Sequence, residues 1–308
     1  MDIAILGGGG AMGGLVGGSL QEAGHDVTLI DVSQEAVETI NSKGLTIEQK
    51  SGESRNIKVR ASRDPSSIGE VDYVINFVKC YHTESAVQSA KPMIGGKTTV
   101  LTLQNGWGNA PKIASIVGEE KVLVGVSYHS ATLAEPGKVL HTGKGMTFVG
   151  ELGGEHSERL KKITDALADS GLDVTPTDDV LKVVWSKLAL NACTLPTSAL
   201  LKFYAHQLVE HEGTLELMRC ILREVVAVAQ AQNIEMDYDE RWEAITSLLK
   251  KAVGGKASML QDVEKSRRTE IDVINGAIVE AGQRCNIPTP YNDTMMYMVK
   301  ALEETFKT

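Results

Sequence analysis

Cysteine, proline and positive charge are all scarce in this sequence, and each shortage removes a class of protein. The four cysteines, Cys80, Cys193, Cys220 and Cys285, lie far apart and form no CxxC pair. Neither a disulfide scaffold nor a cysteine-based metal framework is expected. Incidental thiols in a reducing compartment are the ordinary reading. The seven histidines are equally scattered, so no metal site is expected. Only eight prolines occur in 308 residues, and no Pro- or Ser-rich linker or low-complexity segment interrupts the chain. Lysine and arginine number 31 against 40 acidic residues, a net charge of −9. A general nucleic-acid binder needs the opposite balance to neutralise phosphates, so no nucleic-acid partner is expected. No apolar run approaches the ~20 residues of a spanning helix, so no membrane partner is expected either. The N-terminus lacks the basic start and small-residue cleavage site of a secretory signal, and a cytoplasmic location is expected.

What is present is a soluble composition, 42% hydrophobic and 23% charged, and a length that suggests two domains. The first half alternates strand-like and helix-like segments. Asp2–Leu6 and Asp26–Ile30 read as strands, 14–23 and 34–43 as helices, the second capped by Gly44. That order builds a parallel sheet with helices on its faces. Residues 45–59 read as a hairpin around Ser51-Gly52-Glu53, and 71–78, 98–103 and 121–127 as further strands. Residues 139–142 and 146–149 flank a Gly-rich turn and are predicted to pair antiparallel. From about Asp178 apolar residues recur at three and four, as in Val180, Val183, Val184 and Leu188, or Met218, Ile221, Leu222 and Val225. Thr289-Pro290 reads as an N-cap followed by proline at the first helical position. The sequence therefore predicts an α/β N-terminal dinucleotide-binding (Rossmann) domain over 1–178, followed by an all-α C-terminal substrate domain over 179–308.

The dinucleotide expectation rests on the run Gly7-Gly8-Gly9-Gly10-Ala11-Met12-Gly13, which follows the first strand and opens the first helix. Gly8, Gly10 and Gly13 fit G-x-G-x-x-G, within a register uncertainty of one residue that four consecutive glycines impose. In this pattern the first glycine makes the tight turn and the second lets a pyrophosphate reach the backbone. The third lets the helix pack close to the sheet, and the N–H groups around Ala11 and Met12 face the phosphates. Asp31 ends the second strand, where a carboxylate can accept both adenosine ribose hydroxyls and repel a 2′-phosphate. No lysine or arginine follows before Ile40. NAD(H) is thus expected in preference to NADP(H), the alternative being that Asp31 only starts a turn. Lys79 and Asn105 lie just past later strands, on the ligand-binding edge of a parallel sheet. Either is readable as a ligand contact or as a plain loop residue. Lys187 and Asn191 share one face of an apolar helix. Such a lysine either snorkels to solvent or, if desolvated, becomes a usable proton donor. Ser258 and the stretch 267–272 read, on composition alone, as parts of a charged helix face.

Taken together, the glycine loop, Val78-Lys79-Cys80-Tyr81-His82-Thr83, Gln104-Asn105-Gly106, Trp185-Ser186-Lys187-Leu188-Ala189-Leu190-Asn191, Ser258-Met259-Leu260-Gln261-Asp262 and Thr269-Glu270-Ile271-Asp272 with Asn275-Gly276 resemble the ketopantoate reductase (2-dehydropantoate 2-reductase) family over nearly the whole chain. The resemblance implies an NAD(P)H-dependent reduction of the C2 carbonyl of a small 2-oxo acid, a step towards pantothenate and coenzyme A. It implies Lys187 as general acid and Glu270 as the carboxylate that orients it. It implies Asn191 and Ser258 as substrate contacts, and Lys79 and Asn105 as residues beside the cofactor ribose and the reacting carbon. A homodimer is compatible with it. Two departures stand out. Asp31 occupies the region where members that use NADPH usually carry an arginine. Leu195 stands where the family commonly has a second asparagine, and a further substrate asparagine falls near Ala205. A relative acting on another small 2-oxo or 2-hydroxy acid is therefore a second reading. A non-catalytic dinucleotide sensor is a third, which has no use for the Lys187, Asn191, Ser258 and Glu270 set.

Overall fold

The computed structural model describes residues 1–307. It divides into two compact units: Met1–Gln104 with Asn109–Val180, and Asn105–Gly108 with the residues from Leu181 onward. The four-residue turn at Asn105 thus belongs with the helices, although it interrupts the first unit in sequence.

The first unit follows the order β1 (Asp2–Leu6), α1 (Ala11–Glu22), β2 (Asp26–Ile30), α2 (Gln34–Lys43), β3 (Leu45–Gln49), β4 (Ser54–Ile57), β5 (Arg60–Ser62), β6 (Tyr73–Asn76), α3 (Thr83–Ala90), β7 (Thr99–Thr102), α4 (Asn109–Val117), β8 (Val122–Ser127), β9 (Ser130–Glu135), β10 (Lys138–Gly143), β11 (Thr147–Gly150), α5 (Glu158–Asp169) and β12 (Val174–Pro176). Eight strands form one sheet in the order β12-β11-β8-β7-β6-β1-β2-β5, and four form a second, β4-β3-β10-β9. The large sheet is parallel except where β11 runs against β8. Strands buried on both faces read as near-continuous apolar runs, as Ile3-Ala4-Ile5-Leu6 does here and Val27 to Ile30 does around one buried threonine, Thr28.

The expected hairpin is present as β3 and β4. The expected pairing of 139–142 with 146–149 is not. β10 leaves for the small sheet, antiparallel to β9 and parallel to β3, while β11 joins the large sheet. The Gly-rich turn between them is a crossing between sheets, which alternation within each strand could not reveal. Strand β9, half exposed, carried no clear sequence signal.

Helix α1 starts three residues earlier than its sequence suggested, with Gly10 as N-cap. Its glycines depress intrinsic propensity, but they suit a helix held between two sheets. A Cβ on Gly17 would meet Leu29 and Ile5 of the large sheet at 2.5 and 3.0 Å, and one on Gly18 would meet Ile47 and Leu45 of the small sheet at 2.8 and 2.9 Å. Burial on both faces thus overrides propensity.

The second unit is helical throughout: α6 (Val180–Leu201, whose first residue clusters with the first unit), α7 (Glu212–Ala231), α8 (Tyr238–Lys251), α9 (Ser258–Glu264), α10 (Asn275–Cys285) and α11 (Pro290–Glu304), with short 3-10 turns between. Its core takes the residues whose period marked it, among them Val184, Leu188, Met218, Ile221, Leu222, Val225 and Ile278. Thr289 is the N-cap of α11 with Pro290 just inside it, as expected, but its side chain makes no capping hydrogen bond. The Glu224 carboxylate accepts from the N–H groups of Tyr291 and Asn292 instead, both at 2.9 Å. No helix among the described residues is long and apolar enough to cross a membrane. None of the four cysteines is in a disulfide, and burial pushes the Cys193 thiol well above its usual range.

Candidate active site

In the first unit, four strands deliver candidate residues to one edge of the sheet. β1 ends into the glycine loop, β2 into Asp31, β6 into Val78-Lys79, and β7 into Gln104. The chain runs from β1 to β2 on one side and reaches β6 on the other. That reversal of strand order is where open α/β sheets bind ligands.

The loop's left-handed residue is Gly7, at φ +78°, so the tight turn falls one position before the expected Gly8. Gly8 serves packing, because a Cβ there would sit 2.6 Å from the Leu29 Cβ. Gly13 meets its expected geometry: a Cβ would lie 2.3 Å from the Gly7 carbonyl oxygen, so only glycine lets α1 approach the strand end. At Gly10 a Cβ would meet only that same oxygen, at 3.1 Å, and otherwise open space. The open end of α1, with Gly10, Ala11 and Met12 in its first turn, thus forms a backbone cradle that a side chain would fill. It fits a dinucleotide's pyrophosphate.

Asp31 is half-buried beside this loop. Its carboxylate accepts from the N–H of Gly9 and of Ser33, each at 2.9 Å. Ser33, not Asp31, caps α2, accepting from the Ala36 N–H at 3.3 Å. Asp31 therefore braces the loop, and each oxygen keeps a further lone pair for a ribose hydroxyl.

Lys79 is half-buried at the start of the 3-10 turn Cys80–His82. The backbone before it is fixed by residues the sequence reading did not assign. The buried Gln104 amide donates to the Val78 carbonyl at 2.7 Å and to the Thr83 hydroxyl at 2.8 Å. Its oxygen accepts from Asn76 at 2.9 Å and Thr102 at 3.0 Å. The Thr83 hydroxyl in turn donates to Asn109 Oδ1 at 3.0 Å. A run of polar residues ending apolar strands, Asn76 and Thr102 to Gln104, was the available signal.

In the second unit, the structure brings Lys187, Asn105 and Glu270 together. The Lys187 ammonium donates to Asn105 Oδ1 at 2.8 Å, and Asn105 Nδ2 faces Glu270 Oε2 at 3.4 Å. Asn105 owes its place to the turn behind it. Gly106 has φ +81°, a Cβ there would lie 2.1 Å from the Val273 carbonyl oxygen, and the Trp107 N–H donates to that oxygen at 2.9 Å. The turn is thus stitched to 271–274, the segment that follows Glu270.

Lys187 lies in the middle of α6 between buried Trp185, Leu188 and Ala189. Burial pulls its pKa down from the ordinary lysine range to about 8, and the charge of Glu270 offsets part of the fall. The ammonium is still charged at neutral pH but releases its proton far more readily than a surface lysine. Asn191, one turn along, is buried on the same helix. Ser258 is exposed at the first turn of α9, and no described hydrogen bond joins it to the cluster. Leu195 is buried in α6, and Ala205 begins the 3-10 turn Ala205–Val209.

Comparison with known proteins identifies the family. Residues 3–154 match the family model for ketopantoate reductase PanE/ApbA, and 179–303 match the model for its C-terminal region. A 2-dehydropantoate 2-reductase of Pyrococcus horikoshii is 33% identical over 304 residues, covering 98% of each chain. Among solved structures, a PanE/ApbA family ketopantoate reductase from Ralstonia eutropha superposes with a TM-score of 0.91 at 32% identity, covering both chains completely. A D-mandelate dehydrogenase solved with NADH and anilino(oxo)acetate superposes at 0.94 with 30% identity, again over both chains completely.

Proposed function

The chain belongs to the ketopantoate reductase family, NAD(P)-dependent oxidoreductases acting on a CH–OH group, and from this we propose that it reduces the C2 carbonyl of 2-dehydropantoate to the alcohol of pantoate with NADH. When bound, the dinucleotide supplies the hydride. The chain's own residues bind, orient and protonate. The first turn of α1, at Gly10, Ala11, Met12 and Gly13, receives the pyrophosphate. Asp31 accepts the ribose hydroxyls and repels a 2′-phosphate, and Lys79 lies near the cofactor ribose. Lys187 gives its proton to the carbonyl oxygen as negative charge develops there. Glu270 holds the ammonium's charge, and Asn105 holds its direction. Asn191 and Ser258 engage the substrate.

One observation carries this reading: an ammonium drawn out of water in an apolar helix, aimed by Asn105 and backed by Glu270. A sensor has no need of a lysine made acidic. The test is a panel of 2-oxo acids with NADH and NADPH in parallel, followed by NADH absorbance. Rapid turnover of 2-dehydropantoate with NADH is the expected result. Binding of NADH with no turnover of any 2-oxo acid would leave the protein a sensor.

A second reading has its own support. Leu195 puts a buried apolar side chain where the family commonly has an asparagine, and Ala205 offers no amide. These favour a 2-oxo acid with an apolar tail, and the D-mandelate dehydrogenase is named for the 2-hydroxy acid that corresponds to one. Phenylglyoxylate in the same panel separates the two.

A further inference from the structure

Helix α6 contains Pro196, which has no N–H to offer the carbonyl of Ala192 four residues earlier. Ala192 is fully buried, so water cannot serve that carbonyl. The Asn275 side chain serves it, donating from Nδ2 at 3.3 Å. The same Nδ2 donates to Asn292 Oδ1 at 3.0 Å, and Asn292 Nδ2 donates to Glu224 Oε2 at 2.7 Å. Asn275 and Asn292 are completely buried, and Glu224 nearly so.

The chain Glu224, Asn292, Asn275, Ala192 has one polarity. A carboxylate only accepts, so Asn292 must turn its amide nitrogen to Glu224 and its oxygen to Asn275. Asn275 then faces two acceptors and must turn its nitrogen to both. Its own oxygen is left buried without a hydrogen-bond partner. Such an orphan is a cost that a structure tolerates where the geometry gained matters more.

The geometry gained is a junction. Ala192 follows Asn191 and lies just over a turn beyond Lys187. Asn275 is the first residue of α10, directly after the segment that carries Glu270 and the Val273 carbonyl on which the Asn105 turn is stitched. One amide therefore ties the helix of the lysine to the segment of its two partners. We propose that Asn275 is the positioning residue of the Lys187–Asn105–Glu270 cluster, replacing the hydrogen bond that Pro196 removes and fixing α6 against the Glu270 segment. The role as stated rests on Lys187 being the proton donor, but the hydrogen-bond exchange and the Lys187 titration can be read without any substrate.

The test is a cycle of Asn275→Ala, Pro196→Ala and the double variant. Each is followed by thermal melting and by NMR titration of Lys187 in protein carrying 13C-labelled lysine, with NADH-dependent turnover of 2-dehydropantoate as a third readout. Asn275→Ala is expected to lower Tm by about 5 °C or more. It should shift the Lys187 pKa further down by about half a unit or more as Glu270 loses its register. It should also lower kcat at least about tenfold, with KM for NADH unchanged. Pro196→Ala restores an N–H to the helix, so the double variant should recover most of the Tm and return the Lys187 titration towards wild type. Asn275→Ala with an unmoved Lys187 pKa would reduce Asn275 to a structural residue. A double variant no better than Asn275→Ala, or one that also fails to fold when Asn275→Ala does, would overturn the exchange with Pro196. A wild type that turns over no 2-oxo acid would defeat the proposed reaction, while the Tm cycle and the titration still decide this one.

Discussion

The glycine loop and the lysine cluster solve different problems with different materials. The loop is built from backbone. Its turn, its cradle and its brace come from Gly7, Gly10, Gly13 and Asp31, all within one β-α-β stretch. Side chains are absent at Gly8 and Gly13 because a Cβ would strike Leu29 or the Gly7 carbonyl, and at Gly10 the bare chain keeps the proposed phosphate cradle open. The lysine cluster is built from side chains that are far apart in sequence. Asn105 lies 82 residues from Lys187 and 165 from Glu270. The contrast teaches that binding a constant group requires room, whereas tuning a proton requires a buried and fully assembled environment.

Substitutions that separate the two regions test this contrast. Lys187→Ala should have the largest effect, lowering kcat by about 10²–10⁴-fold. NADH affinity, measured by fluorescence titration, should stay close to wild type. An equal loss of cofactor binding would erase the distinction. Gly10→Val places a side chain in the cradle and should weaken NADH binding by roughly tenfold or more. The far-UV spectrum should be unchanged. Unaltered affinity would move the phosphate approach to Gly9. Asp31→Arg should shift the kcat/KM preference from NADH towards NADPH by about 10- to 100-fold. A wild type already favouring NADPH would show Asp31 to be only the brace of the loop.

The smallest effect is on stability. The Lys187 pKa is about 8 in the folded protein and lies at its ordinary, higher value in the unfolded chain. Between those two values the unfolded chain binds more protons, so stability rises with pH across that window. Lys187→Met removes this penalty. It should raise Tm at neutral pH, and the advantage should shrink as pH climbs towards the ordinary lysine range. A variant less stable than wild type at neutral pH would mean that Lys187 contributes more as a partner of Asn105 and Glu270 than it costs by burial.

The same locality explains what could be read from the sequence. The parallel sheet, the helical second half and the glycine loop were legible because each rests on a pattern within about 30 residues. The strand pairing around residue 144 was not, because β10 and β11 belong to different sheets. The turn residue was displaced from Gly8 to Gly7 because four glycines carry no register of their own. Lys187, Asn191 and Glu270 could be named from a family resemblance and from an i, i+4 spacing. Their surroundings were out of reach. Nothing local says that Gln104 anchors the Val78 carbonyl, that Glu224 caps a helix more than 60 residues later, or that Asn275 answers the gap left by Pro196. Those bonds join residues that only the tertiary fold makes neighbours.

The central claim is that a half-buried, acidified Lys187 supplies the proton, and the pH dependence of NADH-driven 2-oxo acid reduction tests it most directly. The account predicts that kcat/KM falls on a single limb centred near pH 8, where Lys187 loses its proton, and that this limb is absent from the residual activity of Lys187→Ala. A rate that holds flat into the ordinary lysine range, or a limb that survives in Lys187→Ala, would contradict it.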